Sequence, residues 1–429
     1  MKTRILKLKR PTEIKLIGVC LVAALLVGCA TAHRLSSSAG RPALLRSSLP
    51  SERDVPLLAA LGTAYDLLPH QTSLVPTERS NHVVRVAVHE FGPGTRDSLV
   101  ILLHGVLACH RTWRYVTAEL AGGHDVWLVD LPGCGESERP DPTSLEADGY
   151  SPAALADRVL QAIAARLNAR RFNSPLRRVV LASHSLGGMI ALRAYGDPIL
   201  HARHSATLEQ IDGMVLFAPS DAAIHSEIPA FRNCVDLKGW KVAIGQPLGL
   251  VRHGAEKTIH DGYHTPEHAI QEWADELEHL LSGGGTRRAA QAMLTQAVPW
   301  HVKERRPDWP AIQHLASFYA NIDVPCLIVW GEWDETLPAS MGHKLKDEIS
   351  HARLTRIERC GHALPTEKPV ECAEIISEFV KVMDNASFDS LPLFTRYGEK
   401  SPFRKPSNLL ASPSRMQSPG PVSYDVPSR

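Results

Sequence analysis

Three residue types that together perform nucleophilic catalysis occur in this sequence, each after a segment that reads as a buried strand. They are Ser185, Asp334 and His362, and the strand-like runs before them are 178–182, 326–330 and 354–357. A serine hydroxyl is a poor nucleophile until a base removes its proton, and histidine is suited to that work near neutral pH. A carboxylate can hold the histidine tautomer and stabilise the imidazolium. The three residues therefore predict acyl-transfer chemistry.

Ser185 lies where a strand pattern changes directly into a helix pattern. The run Val179–Ala182 is continuously apolar, and Met189–Tyr195 has the apolar spacing of a helix. A serine at such a junction can be held in a sharp turn that lifts its hydroxyl above the sheet edge, provided that the residues two positions away are small. Ser183 and Gly187 meet that condition. Taken alone, the same stretch also fits a serine that merely begins a helix.

Strand and helix patterns alternate over about 82–384. Leu99–Leu103 is continuously apolar, as a strand buried on both faces should be, and His82–Phe91 alternates as an edge strand would. This alternation predicts an α/β fold with a mostly parallel sheet flanked by helices. The interval 220–321 breaks the alternation and contains tryptophans in helix-like stretches, so it predicts an inserted helical cap over the carboxyl edge of the sheet.

Four short motifs, each at the end of a strand-like run, carry a family resemblance. They are Leu103-His104-Gly105-Val106, Asp130-Leu131-Pro132-Gly133-Cys134-Gly135-Glu136-Ser137, Trp330-Gly331-Glu332-Trp333-Asp334 and Cys360-Gly361-His362. Together with Ser185, this set resembles the α/β-hydrolase superfamily in its capped esterase, lipase and carbon–carbon hydrolase branches. The resemblance implies the α/β-hydrolase fold. One departure is Ser183, where the family usually has glycine, and a small residue suffices there.

The resemblance also implies a role for each site residue. Ser185 is the nucleophile, His362 the general base and Asp334 the acid, in the family's chain order. The N–H groups of Val106 and Leu186 form the oxyanion hole, each worth on the order of 3 kcal/mol. Some members of the family place the acid after an earlier strand, where this chain has Asp221, although Gly331 favours Asp334 by permitting a tight turn. No cofactor and no metal are implied, and the loop 130–137 is interpreted as structural.

The predicted function is hydrolysis of an ester-type acyl bond through an acyl-enzyme, with a small-molecule or lipid ester as substrate. An acyltransferase or a carbon–carbon bond hydrolase that uses the same three residues is the alternative among enzymes. The alternative among proteins that are not enzymes is a lipoprotein that uses the fold as a binding scaffold. Dehalogenases and epoxide hydrolases are disfavoured because the resemblance implies aspartate, not serine, at the nucleophile position in those enzymes.

The N-terminus reads as a processing segment. Six lysines and arginines accompany the apolar run Leu16–Val27, which is too short for a membrane span of about 20 residues. The run continues into Gly28-Cys29, and the segment 1–28 resembles a bacterial lipoprotein signal, which implies lipid attached to Cys29. An ordinary secretory signal is the alternative. The expected location is the bacterial cell envelope, with the protein anchored to a membrane; Ala30 gives no retention signal, which favours the outer membrane.

The remaining organisation follows from composition. We expect residues 29–55 to be a tether and residues 385–429, which are rich in proline and serine, to be a disordered tail. Between them, we expect two parts of the core, 56–219 and 322–384, with the 220–321 cap inserted between these parts. The net charge is +1 without a basic stripe, which excludes an electrostatic nucleic-acid partner. The cysteines show no C-x-x-C spacing, and the sequence leaves their pairing and the oligomeric state open.

Overall fold

The computed structural model describes residues 54–170, 176–221, 284–301, 304 and 306–384. The predicted signal, the tether up to residue 53, the cap residues 222–283 and the predicted tail lie outside the described residues. Helix α1 already begins at Asp54, inside the range predicted as tether.

The described residues contain ten strands: β1 (His70–Arg79), β2 (His82–Phe91), β3 (Ser98–Leu103), β4 (Asp125–Val129), β5 (Arg178–His184), β6 (Gly213–Phe217), β7 (Trp300–His301), β8 (Arg306–Pro307), β9 (Cys326–Gly331) and β10 (Ala352–Ile357). The α-helices of the same part of the chain are α1 (Asp54–Leu67), α2 (Arg114–Leu120), α3 (Pro152–Ala169), α4 (Leu186–Gly196), α5 (Pro198–Leu208), α6 (Gly284–Gln296), α7 (Trp309–Ser317), α8 (Ser340–Glu348), α9 (Leu364–Glu367) and α10 (Pro369–Asp384). Single 3₁₀ turns cover 110–113, 142–144 and 318–321.

Eight strands form one sheet in the order β1-β2-β4-β3-β5-β6-β9-β10. The first two pairings, β1 with β2 and β2 with β4, are antiparallel, and all the others are parallel. The prediction that His82–Phe91 is an edge strand is wrong, because β1 pairs along its whole length and takes the edge. The predicted fold class, an α/β-hydrolase fold with a mostly parallel sheet, is confirmed.

The central strands have no solvent-facing side. Every residue of β3, β4, β6 and β9 is buried, because helices flank the sheet and leave no face for polar side chains. Helices α3, α4 and α5 contact one another, whereas α2 contacts both α1 and α10. This packing fixes the carboxyl ends of β3, β5, β6 and β9 along one edge of the sheet. The loops that leave those ends carry the site described below.

Two further features concern membranes and thiols. No helix of the described residues combines the length and apolar character that a membrane span requires. Within the same residues, Cys134, Cys326, Cys360 and Cys372 are free, buried thiols, and Cys109 is buried as well.

Candidate active site

Ser185 occupies a strained turn between β5 and α4. Its backbone has φ 52° and ψ −116°, a conformation that costs a residue with a side chain about 1–3 kcal/mol. Two backbone hydrogen bonds hold the turn: the N–H of Ser185 donates to the carbonyl of Phe217 at 3.0 Å, and the N–H of Ser220 donates to the carbonyl of Ser185 at 2.9 Å. The turn places the serine at the carboxyl end of β5, and strain of this kind clusters at functional sites.

The glycines after Ser185 allow this turn to pack closely. A β-carbon at Gly187 would lie 2.7 Å from the carbonyl oxygen of Leu103, and one at Gly188 would lie 2.5 Å from the β-carbon of Pro219. Both positions therefore require glycine. Ser183, on the strand side, is fully buried, and its Oγ has no hydrogen-bond partner among the described residues. A small side chain is thus accommodated where the family usually has glycine.

The structure brings Ser185, His362 and Asp334 into a hydrogen-bonded row. The distance from His362 Nε2 to Ser185 Oγ is 3.2 Å, and the distance from His362 Nδ1 to Asp334 Oδ2 is 2.8 Å. Each of the three residues is at most 8% exposed. With Nδ1–H donating to the carboxylate, Nε2 is left with its lone pair toward the serine hydroxyl, which is the tautomer that a general base requires.

Asp334 is held so that one carboxylate oxygen faces His362. Its other oxygen, Oδ1, accepts hydrogen bonds from the N–H of Thr336 at 2.9 Å and from the N–H of Leu337 at 2.7 Å. The side chain is fully buried. An ionised, buried carboxylate is stabilised by such hydrogen bonds, and they fix the direction of Oδ2.

Asp221, the other candidate acid, is engaged elsewhere. It is buried after β6, and its carboxylate accepts a hydrogen bond from the hydroxyl of Tyr319. Arg193 in turn donates to that hydroxyl at 3.3 Å and to the carbonyl of Leu315 at 2.9 Å. This chain of contacts ties the end of β6 to α4 and to the 3₁₀ turn after α7. Asp334, and not Asp221, is therefore the carboxylate that is hydrogen-bonded to His362 Nδ1.

Two N–H groups were expected to form an oxyanion hole, those of Leu186 and Val106. Leu186 is the first residue of α4, and the first four N–H groups of a helix have no carbonyl partner within it. Gly105 packs against the nucleophile, since a β-carbon there would lie 3.1 Å from the β-carbon of Ser185. The half-buried Val106 directly follows Gly105, and Leu186 directly follows Ser185, so each residue is one position from this contact.

His104 fixes the peptide that contains the Val106 N–H. Its Nε2 accepts from the N–H of Leu131 at 3.0 Å, so Nδ1 carries the proton and donates to the carbonyl of Gly105 at 2.8 Å. Burial lowers the pKa of His104, which keeps the imidazole neutral and able to accept. Because the Gly105 carbonyl and the Val106 N–H belong to one planar trans peptide, orienting the first orients the second. No pattern in the sequence indicated this role.

Around Asp130, the described residues contain one group of side chains spaced for a metal ion. His89, His110 and Asp130 offer ligand atoms that all lie within 4.8 Å of one another. However, Asp130 Oδ2 already accepts from His89 Nε2 at 3.0 Å, from His110 Nδ1 at 2.9 Å and from the N–H of Glu136 at 2.8 Å. Burial raises the pKa of Asp130, but the hydrogen bonds from His110 and His89 outweigh it and hold the pKa well below its usual range. The cluster is a hydrogen-bond network that holds the start of the loop after β4 in place.

The described end of the predicted cap rests on that same loop. Helix α6 packs so closely that a β-carbon at Gly133 would lie 2.3 Å from the β-carbon of Ala289. Arg139 Nε donates to Thr286 Oγ1 at 2.9 Å, and the N–H of Tyr150 donates to Gln296 Oε1 at 2.8 Å. The loop leaves the carboxyl end of β4, so α6 lies at the sheet edge that also carries Ser185.

Comparison with known proteins agrees with this architecture. A family model described as the alpha/beta hydrolase family matches residues 100–375. The chain belongs to the alpha/beta hydrolase family.

Two relatives and one solved structure illustrate the range of similarities of this family member. It is 25% identical over 299 residues to the uncharacterized hydrolase YugF of Bacillus subtilis, covering 68% of this chain and 93% of that protein. It is 22% identical over 299 residues to the monoacylglycerol lipase ABHD6 of Homo sapiens, covering 68% and 78% of the two chains. Among solved structures, the 2-hydroxy-6-oxo-6-phenylhexa-2,4-dienoate hydrolase of a Rhodococcus species has a TM-score of 0.51 at 17% identity, with 72% of this chain and 100% of that chain covered.

Proposed function

We propose that this hydrolase-family protein cleaves an ester-type acyl bond with Ser185 as nucleophile, His362 as general base and acid, and Asp334 as the residue that orients His362. One observation carries the proposal, the continuous row from Ser185 Oγ through His362 Nε2 and Nδ1 to Asp334 Oδ2, with distances of 3.2 Å and 2.8 Å. The similarity to a monoacylglycerol lipase supports an ester as the substrate.

The row of hydrogen bonds defines the order of proton transfers. Ser185 Oγ attacks the carbonyl carbon while His362 Nε2 takes the hydroxyl proton, and the N–H groups of Leu186 and Val106 stabilise the oxyanion. His362 then protonates the departing alcohol, which leaves an acyl group on Ser185. Water, deprotonated by the same Nε2, attacks the acyl-enzyme and releases the acid, and His362 returns the proton to Ser185.

The test uses p-nitrophenyl esters of rising acyl chain length and the purified protein. The proposal predicts hydrolysis with a chain-length optimum, and its complete loss in Ser185→Ala. A protein that hydrolyses none of the esters, or whose Ser185→Ala variant keeps full activity, would overturn it. Product analysis in the presence of added alcohol separates hydrolysis from acyl transfer, because a transferase yields a new ester instead of the free acid.

A carbon–carbon bond hydrolase is the second candidate. The likeness of the fold to that of a 2-hydroxy-6-oxo-6-phenylhexa-2,4-dienoate hydrolase favours it. Turnover of 2-hydroxy-6-oxo-6-phenylhexa-2,4-dienoate, combined with no turnover of any ester in the series, would transfer the proposal to this reaction. The same three residues would serve both reactions.

In this proposal, residues 220–321 form the cap, and the cap covers the substrate site. Its support is the packing of α6 on the loop after β4, at the edge of the sheet that carries Ser185. Replacement of the segment 222–283 by a short loop should broaden the chain-length preference or abolish turnover while the core keeps its thermal unfolding transition. An unchanged chain-length profile would show that this segment does not select the substrate.

A further inference from the structure

Two side chains outside the catalytic row form hydrogen bonds with the backbone at His362 and directly beside it. Glu367, at the end of the short helix α9, accepts from the N–H of Gly361 at 3.0 Å through Oε2 and from the N–H of Ala363 at 3.1 Å through Oε1. These are the residues directly before and after His362. One carboxylate therefore bridges the N–H groups of the two residues that flank the proposed base.

His184 holds the same backbone from the side of the nucleophile. Its Nε2 lies 2.8 Å from the carbonyl oxygen of His362, and a carbonyl can only accept, so Nε2 carries the proton and donates. Its buried Nδ1 has no hydrogen-bond partner among the described residues. His184 immediately precedes Ser185, so this bond ties the nucleophile's own turn to the loop of the base.

Burial and the nearness of His362 keep His184 in this neutral form. Both effects lower the pKa of His184, to about 3. The imidazole rings of His184 and His362 lie with their centroids 4.9 Å apart and their planes at 47°. A protonated His184 would place a second positive charge beside the imidazolium that forms on His362 during the reaction, and burial prevents this.

We propose that Glu367 and His184 are positioning residues, which fix the distance between His362 Nε2 and Ser185 Oγ by fixing the backbone that carries the imidazole. The proposal rests on the proposed function, because it assigns these residues to the same reaction. The physical reason is that His362 lies in a loop after β10 and must stay within hydrogen-bond reach of Ser185, which follows β5. A misplacement of about 1 Å can cost a catalyst on the order of 100-fold in rate.

A purely structural role predicts a different result. If Glu367 only stabilised the loop before α9, its loss would cost about 1 kcal/mol of stability, as the loss of a helix cap does, without changing the turnover of the protein that remains folded. Asp197 offers a matched control, because its carboxylate accepts from the N–H groups of Ile199 and Leu200 at the start of α5. Asp197→Ala therefore also removes a carboxylate that accepts two backbone N–H groups, but at the start of a helix away from His362.

The first experiment compares Glu367→Gln, Glu367→Ala and Asp197→Ala, with kcat and KM measured on the best p-nitrophenyl ester. Glutamine keeps the shape of the side chain but presents an N–H₂ group to one of the two N–H donors, so only one bond survives. Both Glu367 variants should lower kcat about 10- to 100-fold with KM unchanged within twofold. Asp197→Ala should lower the midpoint of thermal unfolding and leave kcat unchanged.

The second experiment is a rescue at His184. His184→Leu removes the donor and should lower kcat about 10-fold, whereas His184→Gln returns an N–H donor near the position of Nε2 and should retain kcat within threefold. Equal loss in both variants, or a wild-type kcat in His184→Leu and Glu367→Gln, would overturn the inference. If Ser185→Ala keeps activity, the proposed function itself fails. If Ser185→Ala is inactive but the Glu367 and His184 variants keep the wild-type kcat, only the positioning role fails.

Discussion

Gly331 and Gly361 touch backbone to backbone: a β-carbon at Gly331 would lie 2.1 Å from the carbonyl oxygen of Gly361. The same hypothetical atom would lie 2.5 Å from the carbonyl oxygen of Cys360. Gly331 ends β9, three residues before Asp334, and Gly361 precedes His362. The contact therefore sets the separation of the two loops that carry the proposed acid and the proposed base.

This contact predicts that Gly331→Ala will impair the activity of the protein that remains folded. The added methyl must push the His362 loop away from the Asp334 loop, because both atoms that it meets belong to the backbone. We expect kcat to fall at least about 10-fold, measured on the best ester substrate. Gly123→Ala is the control, since a β-carbon at Gly123 meets nothing within 4 Å. Wild-type kcat in Gly331→Ala would show that the spacing of these loops does not matter for the reaction.

Replacing each candidate acid, Asp334 or Asp221, by asparagine should distinguish which of them serves His362. Asp334→Asn should lower kcat by about 10⁴-fold, the order of magnitude for a serine protease whose aspartate becomes asparagine, because the amide favours the wrong tautomer of His362. Asp221→Asn should cost much less, because the carboxylate of Asp221 is bonded to Tyr319. The measurement is kcat for both variants, each shown by circular dichroism to be folded. An inactive Asp221→Asn beside an active Asp334→Asn would reverse the assignment.

The low pKa of His184 predicts acid sensitivity of the fold. In the folded protein this pKa is about 3, against 6.5 for an ordinary histidine, so below pH 6.5 the unfolded chain binds a proton that the folded protein does not. The free energy of unfolding should therefore fall as the pH decreases from 6.5 toward 3, by up to about 1.4 kcal/mol per pH unit from this group.

The check is urea unfolding at pH 7 and pH 5 for the wild type and His184→Gln. The wild type should lose about 2 kcal/mol more than the variant between the two pH values. His104, whose pKa burial also lowers, contributes equally to both proteins and cancels in the comparison. Equal losses would show that His184 does not take up a proton on unfolding in this range.

Cys29 carries a prediction about location. If 1–28 is a lipoprotein signal, Cys29→Ser should abolish incorporation of radioactive fatty acid and leave the precursor unprocessed or differently cut, because the lipid-bearing thiol is gone. Labelling of growing bacteria that express both forms, followed by separation of inner and outer membranes, measures this. Equal label in the two forms would rule out a lipid anchor at Cys29.

Much of the fold and the site could be predicted because their signals are local. The all-buried strands β3 and β9 are continuous apolar runs, and the change of period at Ser185 marks the junction between β5 and α4. Strand β1 could not be predicted in the same way. It contains a proline and mostly polar residues, and only two of its ten residues are buried, so its place at the edge comes from its pairing with β2 and not from a pattern of its own.

The contacts that position the catalytic residues join segments that are distant in sequence, so the spacing of residue types along the chain does not predict them. The residues 178–184 and 361–367 are far apart in sequence, yet the bond from His184 to the His362 carbonyl joins them. Glu367 reads in sequence as the start of the last helix, and only the folded loop shows that its carboxylate bridges Gly361 and Ala363. The side-chain hydrogen bond of His104 to Gly105 likewise depends on the loop after β4.

The most direct test of the central claim is covalent trapping of the proposed nucleophile. An alkyl fluorophosphonate should phosphonylate one residue, because Ser185 Oγ displaces fluoride from phosphorus while His362 takes the hydroxyl proton. Mass spectrometry of the digested protein should find the adduct on the peptide that contains Ser185, with ester hydrolysis lost in proportion to labelling, and no adduct in Ser185→Ala. An adduct on another residue, or full labelling without loss of activity, would contradict the account.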